Sequence, residues 1–343
     1  MVLALLLTVA LVVTAPGGVA SATGSAPSSA GSYAPPDRPG PPLDVPVTDL
    51  AASLACTGNV AAATREPVLL VAGTALTPAP NFSWNYERAF SALQLPYCAV
   101  TLPGHGMSDI QTAGEYIVYA LRTMHQMSGR KVDVLGFSQG GMVPRWALRF
   151  WPDTRTLVDD LVAIDPSNHG TLDANGICAL SCAPSIWQQR TGSHFLAALN
   201  SAAETFAGIS YSVVYSRVDE VVFPNLDASG SSSLHTGGGA VVNIAAQQIC
   251  PADVSEHLAM GSYDPVAYAV ALDAFTHPGP AEASRIPTSV CTTPFQPGVD
   301  PLTFPADYAS YALGAVTVVA TYPHTGAEPA LARYVWANPP PSP

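Results

Sequence analysis

Gly136-Phe137-Ser138-Gln139-Gly140 constrains this 343-residue chain more than any other stretch, because an apolar run, Val132-Asp133-Val134-Leu135, leads into it and a helix-like segment over 142–150 leads out. A serine between a buried strand and a helix must turn so sharply that only small neighbours such as Gly136 and Gly140 fit. The turn lifts its hydroxyl above the helix N-terminus. The five-residue pattern alone arises by chance in a chain with 27 glycines, and it is the strand-turn-helix context that makes Ser138 a candidate nucleophile.

The order of elements agrees with that context. Short apolar runs at 67–71, 97–102, 132–137, 157–164, 211–215 and 240–245 alternate with helix-like stretches at 85–93, 114–127 and 139–150. Such alternation predicts an α/β protein, the α/β-hydrolase fold, with a mostly parallel central sheet and helices on both faces. Residues 167–209 are long for a crossover and carry Trp187 and Phe195, which predicts a cap or lid insertion.

The amino end reads as export machinery. Residues 3–15 are apolar or nearly so, Pro16-Gly17-Gly18 breaks the run, and Ala20-Ser21-Ala22 offers the small residues of a cleavage site, predicting a signal peptide over 1–22. The run is shorter than the roughly 20 residues of a membrane span; an uncleaved anchor is the rival reading. Met1-Val2 carries no basic residue, so either the start lies upstream or the terminal amine supplies the positive end. Residues 23–47, rich in Ser, Gly, Ala and Pro, read as a disordered spacer. That leaves 48–343 as a single catalytic domain, secreted, monomeric, and without an integral membrane segment in the mature chain.

Six cysteines fit an oxidising compartment. Position favours Cys56 with Cys98, flanking successive strands, Cys250 with Cys291, bracketing the segment that holds His257, and Cys178 with Cys182, in one short loop. No metal is expected, since His169 and His194 lack ligand spacing to Cys178 and Cys182. The formal net charge of −12 argues against nucleic acid, which needs a basic stripe.

Strand carboxyl ends collect catalytic groups in open α/β sheets. Asp219, after the run at 211–215, is the expected acid, with Asp165, after the run at 157–164, as competitor. The chain order Ser, Asp, His leaves His235, His257, His277 and His324; His257, following the last strand, is the expected base. The backbone N–H of Gln139 and a donor from Ala72-Gly73-Thr74-Ala75 would form an oxyanion hole, with Thr74 offering both N–H and hydroxyl. His105, in Pro103-Gly104-His105-Gly106, reads as a loop residue at the mouth, and Asn81-Phe82-Ser83 is a glycosylation sequon only in a eukaryotic host.

Pro67-Val68-Leu69-Leu70-Val71-Ala72-Gly73-Thr74, Phe137-Ser138-Gln139-Gly140-Gly141, the run Pro184-Ser185-Ile186-Trp187-Gln188-Gln189-Arg190-Thr191-Gly192-Ser193, Tyr215-Ser216 through Asp219-Glu220, and Glu328-Pro329-Ala330-Leu331 resemble the Candida antarctica lipase B-like family of α/β-hydrolase lipases and its bacterial relatives. The resemblance covers 54–334. It implies Ser138, Asp219 and His257 as the triad, Thr74 and Gln139 as the oxyanion hole, pocket roles for Gln189 and Ser167, and similar pairings for four of the cysteines. Phe137 stands where the family has tryptophan, which should enlarge the alcohol side of the pocket, and Ser167 stands where it has an acidic residue. The Cys178/Cys182 pair looks new, and the family's carboxyl-terminal disulfide is missing.

The expectation is a secreted serine ester hydrolase without cofactor, a triacylglycerol lipase acting on lipid or other carboxylic esters at an oil-water interface. A short-chain or polymer-directed carboxylesterase is the alternative. An inactive secreted binding protein on the same scaffold is a remote one.

Overall fold

The strands form because their residues can be buried on both faces, as a parallel sheet between helices requires. All six residues of Val132–Phe137 are buried, as are all four of Val68–Val71. In a computed structural model, which describes residues 32–339, seven strands make one sheet: β1 (Leu54–Cys56), β2 (Val68–Val71), β3 (Tyr97–Val100), β4 (Val132–Phe137), β5 (Val158–Ile164), β6 (Ser210–Tyr215) and β7 (Ala240–Ala245). Their order is β1-β3-β2-β4-β5-β6-β7; β1 runs antiparallel to β3 and every other pair is parallel. This is the mostly parallel α/β sheet expected from the sequence, with β1 as an added edge strand.

Among the described residues, twelve α-helices accompany it: α1 (Val47–Ser53), α2 (Pro78–Phe82), α3 (Tyr86–Ala92), α4 (Ile110–Ser128), α5 (Gln139–Phe150), α6 (Leu172–Ile177), α7 (Pro184–Gln188), α8 (His194–Leu199), α9 (Ala246–Ile249), α10 (His257–Met260), α11 (Pro265–Thr276) and α12 (Phe304–Thr321). Side chains alternate across a strand. Leu69 and Val71 of β2 therefore join one core with Leu121 of α4 and Trp146 of α5, while Val68 and Leu70 join the opposite core with Phe90 of α3 and Val270 of α11. Helix α4 starts where the Asp109 carboxylate accepts the Gln111 N–H and stops at Gly129, which takes the left-handed conformation at φ 66°.

One sequence expectation changes, and one helix, α12, stands where the sequence predicted none. Residues 1–22 and 23–31 lie outside the described residues, but from Ser32 the spacer is packed onto the body. Tyr33 stacks on Trp336 at 5.4 Å, Ala34 is buried, Trp151 Nε1 donates to Pro41 O at 2.8 Å, and Arg149 Nη2 donates to Ala34 O at 2.5 Å. A proline-rich segment holds an extended strap because the body supplies donors for its carbonyls. Residues 32–47, expected as part of a disordered spacer, are thus packed against the folded body. Helix α12, eighteen residues with only Tyr311 fully buried, has too little apolar periodicity to be read as an amphipathic helix.

The expected insertion between β5 and β6 holds α6, α7 and α8. Burial lowers the guanidinium of Arg145, on α5, to about 10, and the group donates to Glu204 O, Asn168 Oδ1 and Asn200 Oδ1, tying the helix that follows Ser138 to this insertion. The cysteines pair as Cys56–Cys98, Cys178–Cys182 and Cys250–Cys291. Among the described residues, no helix is long and apolar enough to cross a membrane.

Candidate active site

Ser138 sits between β4 and α5 at φ 54°, ψ −124°, a conformation costly for any side-chain-bearing residue. Two glycines permit it. A Cβ on Gly136 would collide with the backbone of Gly140, and one on Gly140 with the carbonyls of Val71 and Ala72. Gly141 N donates to Ser138 O at 2.9 Å and Ser138 N donates to Ile164 O at 2.8 Å, fixing the turn to both helix and sheet. The side chain is 5% exposed.

His257 opens α10. The Glu256 carboxylate caps that short helix, accepting the N–H groups of Leu258 and Ala259 at 2.7 and 2.9 Å, and Glu220 Oε2 accepts His257 N–H at 3.2 Å. The imidazole Nδ1 lies 2.8 Å from Asp219 Oδ2, both side chains being buried. Asp219 Oδ1 in turn accepts Val221 N–H at 2.8 Å and Val222 N–H at 2.7 Å. Burial alone would depress the imidazole; the charge and hydrogen bond of Asp219, helped by Glu220 and Glu256, overcome it and hold His257 above its ordinary value. Phe137, next to the serine, packs its ring 4.8 Å from the His257 ring.

Of the other candidate bases, His277 pairs with Asp273 at 3.3 Å, His324 contacts Ser181 at 3.4 Å, and the His235 ring lies 5.7 Å from that of His169. His105 is exposed, at φ 58°.

A Cβ built on Gly73 would stand 2.9 Å from the Phe137 ring and 3.3 Å from Ser138 Cβ, so the loop after β2 lies directly against the elbow. Thr74 is next. Its Oγ1 accepts from Gln189 Nε2 at 3.0 Å and Gln139 Nε2 at 3.3 Å. Gln139 also contributes its main-chain N–H from the first turn of α5, where helix geometry provides no acceptor. The expected pocket residues are more enclosed than open lining implies. Phe137 is 1% exposed, bounded by Gly73, Gly261 and His257. Ser167 is wholly buried and donates to Gln189 Oε1 at 2.9 Å, one layer behind.

The sequence reading missed three groups. Asn81 is fully buried, accepting Gly73 N–H at 3.2 Å and donating to Gly261 O at 3.0 Å, so the sequon asparagine joins the loop after β2 to the end of the His257 helix. Tyr308 of α12 donates to Glu256. Third, α12 supplies Ala315, Val318 and Val319, and its C-cap Tyr322, to an apolar cluster with Ala75, Met107, Ile186 and Trp187, beside Thr74. None of these has a local signal beyond the sequon.

Two carboxylate clusters converge closely enough to invite a cation. At Asp165, Asp219 and His257, the imidazole nitrogen nearest Asp219 is already in the 2.8 Å hydrogen bond; at Asp133, Asp159 and Asp160, Lys131 Nζ already lies 2.9 Å from Asp159. Neither arrangement calls for a metal.

A family model described as Lipase (class 2) matches residues 115–250. Lipase B of Pseudozyma antarctica is 36% identical over 220 residues, which is 63% of this chain and 64% of that protein, so the match spans just under two thirds of the relative's length. The crystal structure of Aspergillus fumigatus lipase B superposes with a TM-score of 0.78 at 31% identity, covering 87% of this chain and 74% of that one.

Proposed function

The chain belongs to the lipase B family of α/β-hydrolases, and from that premise we propose that it is a secreted carboxylic ester hydrolase, a lipase, working through an acyl-enzyme on Ser138. The observation that carries the reading is the buried 2.8 Å pair of His257 Nδ1 and Asp219 Oδ2 set against the strained Ser138 elbow. The imidazole Nε2 removes the Ser138 proton as Oγ attacks the ester carbonyl, and Asp219 steadies the imidazolium that results. Charge developing on the carbonyl oxygen meets the Gln139 N–H and the N–H and hydroxyl of Thr74, each donor worth about 3 kcal/mol of barrier. His257 then protonates the leaving alcohol, and water repeats the sequence to release the acid.

Acylglycerols are the proposed substrates because the apolar wall of Ala75, Ile186, Trp187, Val318 and Val319 adjoins the oxyanion loop, offering an acyl chain a dry surface. Secretion is supported by three disulfides and by the apolar run at residues 3–15.

Hydrolysis of p-nitrophenyl esters from acetate to palmitate, and of emulsified triacylglycerol, by the protein and by Ser138→Ala tests the proposal. Ser138-dependent activity on long chains and emulsion is expected. Activity restricted to short soluble esters would make it a carboxylesterase, and a Ser138→Ala variant as active as the parent would end the hydrolase reading.

A further inference from the structure

Asp165 is the one buried acid near the histidine that the mechanism above leaves idle. It follows β5 at φ 42°, a left-handed conformation unusual for any residue but glycine. Its carboxyl is completely buried; Oδ1 accepts Ser216 N–H at 2.7 Å, while Oδ2 has no hydrogen-bond partner among the described residues. One oxygen of Asp165, one of Asp219 and a nitrogen of His257 lie within 4.8 Å of one another. Capping Ser216 needs a single acceptor, which asparagine would supply without placing a second acid beside the first.

The remaining acids around His257 are committed elsewhere. Glu220 takes the His257 main-chain N–H, Glu256 caps α10 and accepts Tyr308, and Asp264 accepts Ser255 Oγ at 2.6 Å and Ala267 N–H at 2.7 Å. Asp173 heads the first turn of α6. Among these acids of the described residues, Asp165 alone combines a buried oxygen that lacks a partner with a carboxylate oxygen within 4.8 Å of the Asp219–His257 pair.

We propose that Asp165 is the reserve acid of the site, the carboxyl that orients the His257 imidazole when Asp219 cannot. The proposal rests on the hydrolase reading. With Asp219 in place, burial first and then the charge of Asp219, with Asp264 and Glu220 beyond it, hold Asp165 well above the usual carboxylate range against the opposing Ser216 N–H. Burial and the neighbouring charge thus favour the neutral form of Asp165 beside the Asp219–His257 pair. Removing Asp219 removes the like charge and frees the acceptor position at Nδ1; Asp165, with an oxygen within 4.8 Å, then releases its proton to solvent at lower pH and accepts Nδ1–H itself.

The test is kcat/KM on p-nitrophenyl butyrate from pH 5 to 10 for the parent, Asp219→Ala, Asp165→Asn and the double variant, with Ser138→Ala as floor and near-UV circular dichroism to confirm folding. Because Asp219 also accepts Val221 and Val222 N–H, Asp219→Ser is the companion that keeps an acceptor there. Losing the acid of a triad outright costs roughly 10⁴-fold. The expected result is that Asp219→Ala stays at least about tenfold above the double variant, with a residual rate that climbs with pH as Asp165 ionises. Single and double variants equally slow at every pH would overturn the proposal. A parent no faster than Ser138→Ala would bring down the hydrolase reading itself, and the proposal with it.

Discussion

The hydroxyl of Ser167 donates to Gln189 Oε1 at 2.9 Å, and this bond points the other end of the Gln189 amide at Thr74. The Ser185 carbonyl, which can only accept, lies 3.2 Å from Gln189 Nε2 and fixes the same orientation. Thr74 Oγ1 thus receives two amide donors, from Gln189 and Gln139, and its own proton has only a long 3.4 Å bond to Gln189 Oε1 to give up when an oxyanion develops.

Thr74→Val should therefore lower kcat by about 10²- to 10³-fold with little change in KM, the cost of one oxyanion donor. Ser167→Ala, which only frees the amide to rotate, should cost about tenfold or less, in line with a single net hydrogen bond of about 1 kcal/mol. Steady-state kinetics on one soluble ester separates the two.

The pH profile follows from the sign of the His257 shift. A general base must be neutral, and acids around His257 keep it protonated to higher pH than an ordinary imidazole. The acid limb of kcat/KM should accordingly lie above the ordinary imidazole value. Glu220→Gln removes one of those charges while keeping an acceptor for His257 N–H, so its limb should move to lower pH. An unmoved or raised limb would contradict this electrostatic account.

Asn81→Leu leaves the Gly73 N–H and the Gly261 carbonyl without their partner, in positions that are both buried. Each orphaned group costs about 1–3 kcal/mol, so urea denaturation should show a loss of at least about 2 kcal/mol. Activity should fall too, since the same side chain holds the oxyanion loop to the helix that carries the base.

The disulfides should differ in worth. Cys56–Cys98 and Cys250–Cys291 close loops of 42 and 41 residues, whereas Cys178–Cys182 closes one of 4. Chain entropy assigns about 4 kcal/mol to each long loop and about 2 kcal/mol to the short one. Paired Cys→Ser variants, compared by thermal unfolding, should rank in that order.

Much of this molecule was legible in its amino-acid order. The expected boundaries of β4, β7 and α5 match the structure; for β4, a continuous apolar run between turn residues reports burial on both faces directly, whereas β7, at the sheet edge, is only partly buried. β1 is only three residues and pairs antiparallel at the edge, too short to show a period. The segment from Ser32 looked unstructured because its prolines and glycines bury little by themselves; Arg149, Arg155 and Trp151 hold it from outside. Phe137 and Ser167 were expected to line a pocket, yet which side chain faces a cavity depends on what packs over it.

Sequence by itself determined the elbow, the strand order that carries it, and a shortlist of acids and histidines at strand ends, since these follow from local backbone geometry and the period of burial. Tertiary structure decided which members of that shortlist meet. Asp165 and Asp219 both follow parallel strands, β5 and β6, and no local rule tells one from the other. The choice lies in the loop that turns Asp219 toward His257 at 2.8 Å while Asp165 accepts Ser216 N–H, and in contacts such as Thr74 with Gln189, 115 residues apart. Sheet register and burial create such contacts, and neither is written in any short stretch of the chain.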